Sequence, residues 1–237
     1  MNPSDPERTE DPRELPEPWH GFRGESPTGP PSEFPIAPSI AISREAGARG
    51  TAIARRIGEK SGWLVCDHEM LGYTAQDPLA LPSILADAPP GVSAWIDAEI
   101  DRLATSGIVR FDADYEPIAR LILALGARGE IVFVGRGAGF LLPRSSTLHV
   151  RLTAPLEDRV AYLGQLLRLP LDEAKKEVAA RDAQRQEFLQ RRFRYSLSDL
   201  PFDMTLNSVT LGSELCVELI LAGLVGKSNA RFQGSLE

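Results

Sequence analysis

The sequence predicts an α/β protein built on a parallel sheet with helices on both faces. Short apolar runs of strand length recur at Ser39, Trp63, Ile131, Leu148 and Asp203. Longer stretches with apolar residues at helical spacing lie between them, and such alternation packs as parallel strands joined by crossover helices. The length sets the scale: 237 residues, 43% hydrophobic, make one domain of roughly 200 residues with a sizeable core and an appendage.

Each element has its own signature. "SIAIS" (39–43) reads as a buried strand. "TAIARRIGEKSG" places Ile53, Arg56 and Ile57 at helical spacing and stops at Gly62. "WLVCD" is a second short strand ending on Asp67, and "HEMLGYTAQ" is helical. The Pro-rich "DPLALPSILADAPPG" breaks the chain. "VSAWIDAEIDRLA" and "DYEPIARLILALGARG" are amphipathic helices; Tyr115, Ile118, Ile122 and Leu125 share a face of the second. "IVFV" (131–134) is the third strand and "LHVRL" (148–152) the fourth. "PLEDRVAYLGQLLR" opens with Pro155 and early acids, as helices do. "LDEAKKEVAARDAQRQEFLQRRF" is a long charged helix. "DMTLN" (203–207) is the fifth strand, and "SELCVELILAGLVG" closes as a helix ending on Gly226.

Residues 1–36 carry eight acidic residues and three arginines, a charge of -5 out of the chain's -7. Proline-rich and short of aliphatic residues, this tail is expected to be disordered, with a solvating or protein-binding role. The domain is expected over 37–226, with a flexible C-terminal tail over 227–237. The acidic balance argues against a nucleic-acid partner, which needs a clustered basic surface. Cys66 and Cys216 stand far apart in apolar contexts and read as buried free thiols. The opening "MNPSDPERTEDPREL" is unlike a signal or transit peptide. The longest apolar run, in "LCVELILAGLV", is interrupted by Glu218 and too short to span a bilayer. A cytoplasmic protein without membrane partners is the expectation.

Ligands in open parallel sheets bind beyond the carboxyl ends of the strands. That directs attention to "SREAGARGT" (Ser43–Thr51), between the first strand and the first helix. A loop there presents backbone N–H groups and a helix N-terminus to an anion. Gly47 and Gly50 supply conformational freedom, Arg49 a positive charge and Thr51 a hydroxyl for phosphate or Mg²⁺. "GRGAGF" follows the third strand; Phe140 stands where a dinucleotide-binding fingerprint needs glycine. It reads as a tight turn or as an anion contact through Arg136. Arg181 and Arg185 lie four apart on one helical face, as a solvated charged helix or as a basic lid over phosphates. Asp67 either caps the next helix or holds a substrate hydroxyl or metal. His20, His68 and His149 show no metal-ligand spacing.

These segments, in this order, resemble the cytidylate kinase-like family, relatives of bacterial CMP kinases among the P-loop nucleoside monophosphate kinases. The resemblance runs from about Ile40 to Leu224. It rests on "IAISREAGARGTAIARRIGEKSGWLVCDHEML", "IVFVGRGAGFLLP", "LHVRLTAPLEDRVAYL" and "ARDAQRQEF...FDMTLNSVTL". It implies a five-stranded parallel sheet of order 2-3-1-4-5 with a helical lid. It also implies transfer of the ATP γ-phosphoryl group, with Mg²⁺, to a nucleoside monophosphate or similar phosphate-bearing acceptor. Ser43, Arg44, Gly47, Ala48, Arg49, Gly50 and Thr51 then form the nucleotide loop, with Thr51 toward the metal and Arg49 in place of the usual lysine. Asp67, Arg136 and Arg159 fall at substrate-binding positions. Arg136, Arg181, Asp182 and Arg185 join Arg49 as the catalytic set. Val134 and Gly137 replace aspartates that flank the matching arginine in CMP kinases, so the acceptor differs in its contacts. The alternative is a nucleotide-binding or regulatory module of this fold without turnover.

Overall fold

A computed structural model describes residues 34–196 and 200–233, with side chains to residue 228. The acidic segment 1–33 lies outside the described residues. Five strands form one parallel sheet of order β2-β3-β1-β4-β5, the order the resemblance implies. The strands are β1 (Ser39–Arg44), β2 (Leu64–Cys66), β3 (Ile131–Val134), β4 (Thr147–Thr153) and β5 (Met204–Asn207). β1 pairs with β3 through Ile40↔Val132 and with β4 through Ile40↔Leu148.

The first strand feeds α1 (Gly50–Ser61), which ends at Gly62 in the left-handed region. α2 (His68–Thr74), α3 (Ala80–Ala86), α4 (Val92–Thr105) and α5 (Glu116–Arg128) fill the crossover between β2 and β3. The one-turn α6 (Ala138–Leu141) follows β3. The helices α7 (Leu156–Leu167) and α8 (Leu171–Arg192) form a hairpin between β4 and β5, and α9 (Gly212–Gln233) closes the chain.

The central strands are buried on both faces, and alternate residues share one cluster. Ile40, Ile42, Val132, Val134, Val150 and Leu152 are buried in one cluster with Ile53 and Ile57 of α1 and Val217 and Ile220 of α9. Each such side chain contributes about 1.5–3 kcal/mol when taken out of water. At the surface, Glu214 of α9 takes ion pairs from both Arg56 and Lys60 of α1. Both cysteines are buried and free.

Three boundaries differ from the sequence expectation. The Pro-rich segment holds α3, because Pro82 sits in the first helical turn, where a missing N–H costs nothing. At the N-terminal edge, Phe34 is buried beside Trp95 and the Ile36 N–H donates to Ala127 O, so ordered packing begins before Ala37. At the other end, α9 passes through Gly226 to Gln233 rather than stopping there. A mid-helix glycine costs only about 1 kcal/mol, and Lys227 pairs with Asp203 at 2.6 Å one residue later.

That pair belongs to a polar group around the buried His149 at the amino ends of β4 and β5. His149 of β4 is 1% exposed and donates its N–H to Asp203 Oδ2 at 2.7 Å. Burial, with Arg144 and Lys227 nearby, pushes the His149 imidazole down to about 3. Burial alone would raise the Asp203 carboxyl, but the His149 N–H and Lys227 outweigh it and hold it below the ordinary range. Below pH 6.5 the unfolded chain protonates His149 while the folded chain does not. Stability is therefore full above pH 6.5 and declines as pH falls toward 3, by at most ~1.4 kcal/mol per pH unit from this group. His149→Gln should flatten that slope in denaturant titrations between pH 6.5 and 4; an unchanged slope contradicts the assignment.

Candidate functional site: an arginine-lined cleft at the strand ends

Where β1 ends, the chain turns sharply into α1. Gly47 has φ +80, and a Cβ there would stand 2.4 Å from Arg159 O, so both backbone and space require glycine. Ala46 and Ala48 need no such freedom and bury their methyls at 5% and 0% exposure. This is why the loop is short of glycine. Arg49 is the N-cap of α1 and itself takes the left-handed conformation, φ 58. Its guanidinium lies over the Tyr162 ring at 5.2 Å, and its Nε is buried with no hydrogen-bond partner. Gly47→Ala should cost about 2–3 kcal/mol of stability, from a positive φ plus the collision with Arg159 O. A melting temperature within a degree of the wild type would contradict that.

Above the loop opens a cleft of 490 Å³. Of the residues expected to bind nucleotide or substrate, Arg44, Gly47, Arg49, Gly50 and Thr51 line it, and so do Arg136, Arg181 and Arg185. Five arginines from the loop, the turn after β3, and α8 thus face one space. Arg44 is desolvated and crowded by Arg185 and Arg136, which push its guanidinium down to about 10 despite Asp67. Burial, more than Asp182 can offset, also lowers Arg185. Clustered cations of this kind suit a polyanion, with Glu45, Glu69 and Glu177 sharing the wall and Glu177 paired with Arg181. The orphaned Arg49 Nε and the N-terminus of the 12-residue α1 point to the same ligand class.

Ser43, Ala48, Asp67, Arg159 and Asp182 do not line this cleft. Ser43 faces the other side of α8, and Ala48 is core. Asp67 caps α2, its Oδ1 accepting from Glu69 N at 3.1 Å and Met70 N at 3.0 Å. Arg159 was expected to touch substrate; instead it sits beneath the loop, 12% exposed, because its partners are all internal. It donates to Ala46 O, Ala154 O and Asp182 Oδ2. Asp182 is equally committed: it accepts from Ala46 N at 2.9 Å, Arg159 at 2.5 Å and Arg185 at 2.8 Å. The middle of α8 is thereby stapled to the loop rather than free above it.

The far end of α8 is anchored as well. Phe188 and Phe193 pack edge-on against Tyr115, and Phe193 stacks on Phe140 at 4.2 Å. Tyr115 is fully buried and donates its hydroxyl to Arg136 O at 2.9 Å. That bond fixes Arg136 in a left-handed conformation between two left-handed glycines, Gly135 and Gly137. Arg136 Nε then donates to His68 O at 3.2 Å, with its guanidinium over Phe188. "GRGAGF" is thus a tight turn, and that turn brings Arg136 to the cleft wall. Tyr115→Phe should cost about 1 kcal/mol for the lost buried hydrogen bond, readable in urea titrations.

Further residues of the cleft wall, among them His68, Glu69, Tyr162 and Phe188, have no motif in the sequence to mark them. His68 and Glu69 directly follow β2, at the strand end where ligands gather. Arg44 Nη2 lies 3.3 Å from His68 Nδ1, and burial with Arg44 and Arg136 lowers the imidazole. Tyr162 lies three residues past Arg159 on α7, and Phe188 continues the Arg181–Arg185 stripe of α8.

A model of the cytidylate kinase-like family matches residues 39–210, which hold every residue of this cleft. A cytidylate kinase from Ignicoccus hospitalis (strain KIN4/I / DSM 18386 / JCM 14125) is 27% identical over 104 residues, 44% of this chain and 60% of that protein. The match thus spans less than two thirds of that relative. The crystal structure of an uncharacterized protein from Eubacterium ventriosum ATCC 27560 superimposes with TM-score 0.53 at 14% identity, over 78% of this chain and 96% of that one. It shares the fold. With the family match covering the sheet, the loop and the arginine helix alike, the chain belongs to the cytidylate kinase-like family.

Proposed function

We propose that the protein is an ATP-dependent phosphotransferase that moves the γ-phosphoryl group to a small phosphate-bearing acceptor of the nucleoside monophosphate type. The observation that supports this best is the convergence of Arg44, Arg49, Arg136, Arg181 and Arg185 on one cleft at the N-terminus of α1. Phosphoryl transfer needs positioning and charge neutralisation above all else. The loop amides, Arg49 and Arg181 hold the donor phosphates, and Arg136 and Arg185 the acceptor. Arginine forks bind phosphate bidentately, so Arg49 serves where relatives place lysine. Tyr162, Leu163 and Leu166 offer an apolar wall for the donor base. On the other side, His68, Glu69 and Phe188 surround the acceptor, in place of the aspartates replaced by Val134 and Gly137.

Among the described residues no cluster of three His, Cys, Asp or Glu side chains could hold a metal alone. Mg²⁺ arriving with nucleotide needs only one or two protein ligands beside phosphate oxygens and water. The Thr51 hydroxyl, in the first turn of α1 and on the cleft wall, fits that part; bound there, the ion offsets phosphate charge. No described helix is long and apolar enough to cross a membrane, in keeping with a cytoplasmic enzyme.

A nucleotide-binding regulatory module without turnover is the second reading, favoured by Arg159 and Asp182 being spent on internal contacts. Incubation with ATP, Mg²⁺ and a panel of nucleoside monophosphates decides. Acceptor-dependent ADP supports the enzyme, and ATP binding without ADP supports the module.

A further inference from the structure

Behind α8, on the side away from the loop cleft, lies a second cavity of 600 Å³, a size that suits a small metabolite. Its floor is the carboxyl ends of β1 and β4, where Ser43 and Arg151 are paired neighbours. The sheet reverses its strand order here: β1 leads to β3 and β2, β4 to β5. Crevices at such switch points are ligand sites in open parallel sheets.

The wall chemistry selects an anion. Among the described residues, five arginines line the cavity (Arg44, Arg110, Arg151, Arg185 and Arg194) against two carboxylates, Glu45 and Asp182. Both carboxylates are already engaged, Glu45 by the Ala154 N–H and Asp182 as described above. Arg110, Arg151 and Arg194 form no ion pair among the described residues. Arg151 lies over the Phe202 ring and Arg194 over the Tyr195 ring, each leaving guanidinium N–H groups for a ligand. Gln186 and Gln190 add neutral donors from α8, and Leu189 an apolar surface. Arg44 and Arg185 form the partition between the two cavities, whereas Arg49, Thr51 and Arg181 face only the first.

We propose that this second cavity binds a small phosphate-bearing molecule separate from the donor and acceptor of the loop cleft, with Arg110, Arg151 and Arg194 as its phosphate contacts.

Isothermal titration of the full chain with inorganic pyrophosphate tests the proposal, using wild type, Arg49→Ala and the double variant Arg110→Ser with Arg151→Gln. At least two binding events are expected in the wild type, one in the loop cleft and one in the second cavity. Arg49→Ala should weaken one, and the double variant should weaken the other at least tenfold while keeping the first, which also reports that it is folded. A single event in the wild type, or two events of unchanged affinity in the double variant, overturns the proposal. An unaffected Arg49→Ala titration alongside a weakened double variant would count against the loop assignment and leave the second cavity standing.

Discussion

Arg49→Ala should lower kcat/KM for ATP at least tenfold, a loss of about 1.4 kcal/mol or more in transition-state stabilisation. The reason is local. Arg49 is held in the left-handed region at the start of α1 by the loop, with its guanidinium braced on Tyr162 and its Nε buried without a partner. A cation fixed in that way is already arranged for phosphate and loses little on binding it. Arg49→Lys keeps the charge but gives up both the fork and the ring contact, so it should recover only part of the activity. Steady-state kinetics on the three proteins checks this. Equal kcat/KM in all three would remove Arg49 from the mechanism.

Asp182→Ala should have the largest effect on stability. One carboxylate takes the Ala46 N–H of the loop, Arg159 of α7 and Arg185 of α8. Removing it leaves Arg159, 12% exposed, facing only Glu45 at 3.6 Å and two carbonyls. Breaking such a pair costs about 2–4 kcal/mol, discounted because Asp182 itself is one-third exposed. For a domain of this size that lowers Tm by roughly 5–15 °C. Asp182→Asn keeps the hydrogen-bonding shape without the charge and should fall between. A melting curve for Asp182→Ala that overlays the wild type would show that the staple carries no load.

Much of the fold was legible because one property decides it. Strands buried on both faces read as continuous apolar runs, and "SIAIS", "IVFV" and "LHVRL" stand out among charged helices. Strand order is set by long-range pairing that no local pattern encodes, so it came from the resemblance to a family. The ends were harder to place. Proline in "LPSILA" and Gly226 in α9 are breaking signals that first-turn placement and the Lys227–Asp203 pair override.

In the site, the charges were legible and their partners were not. Arg49, Arg136, Arg181 and Arg185 could be picked out as arginines near strand ends or on one helical face, and Arg44 came from the resemblance. That Arg159 and Asp182 turn inward while His68 and Tyr162 turn toward the cleft depends on which side of α7, α8 and α2 meets the loop. That is a property of packing across more than 100 residues of sequence, as in the bond from Ala46 to Asp182.

The most direct test of the central claim is label transfer. ATP carrying a labelled γ-phosphoryl group is incubated with Mg²⁺, the protein and each of a panel of nucleoside monophosphates, and the products are separated. The loop cleft with its five arginines predicts that label moves into a nucleoside diphosphate, and that Arg49→Ala reduces the transfer at least tenfold. Label remaining in ATP, or released only as inorganic phosphate with every acceptor, would contradict it.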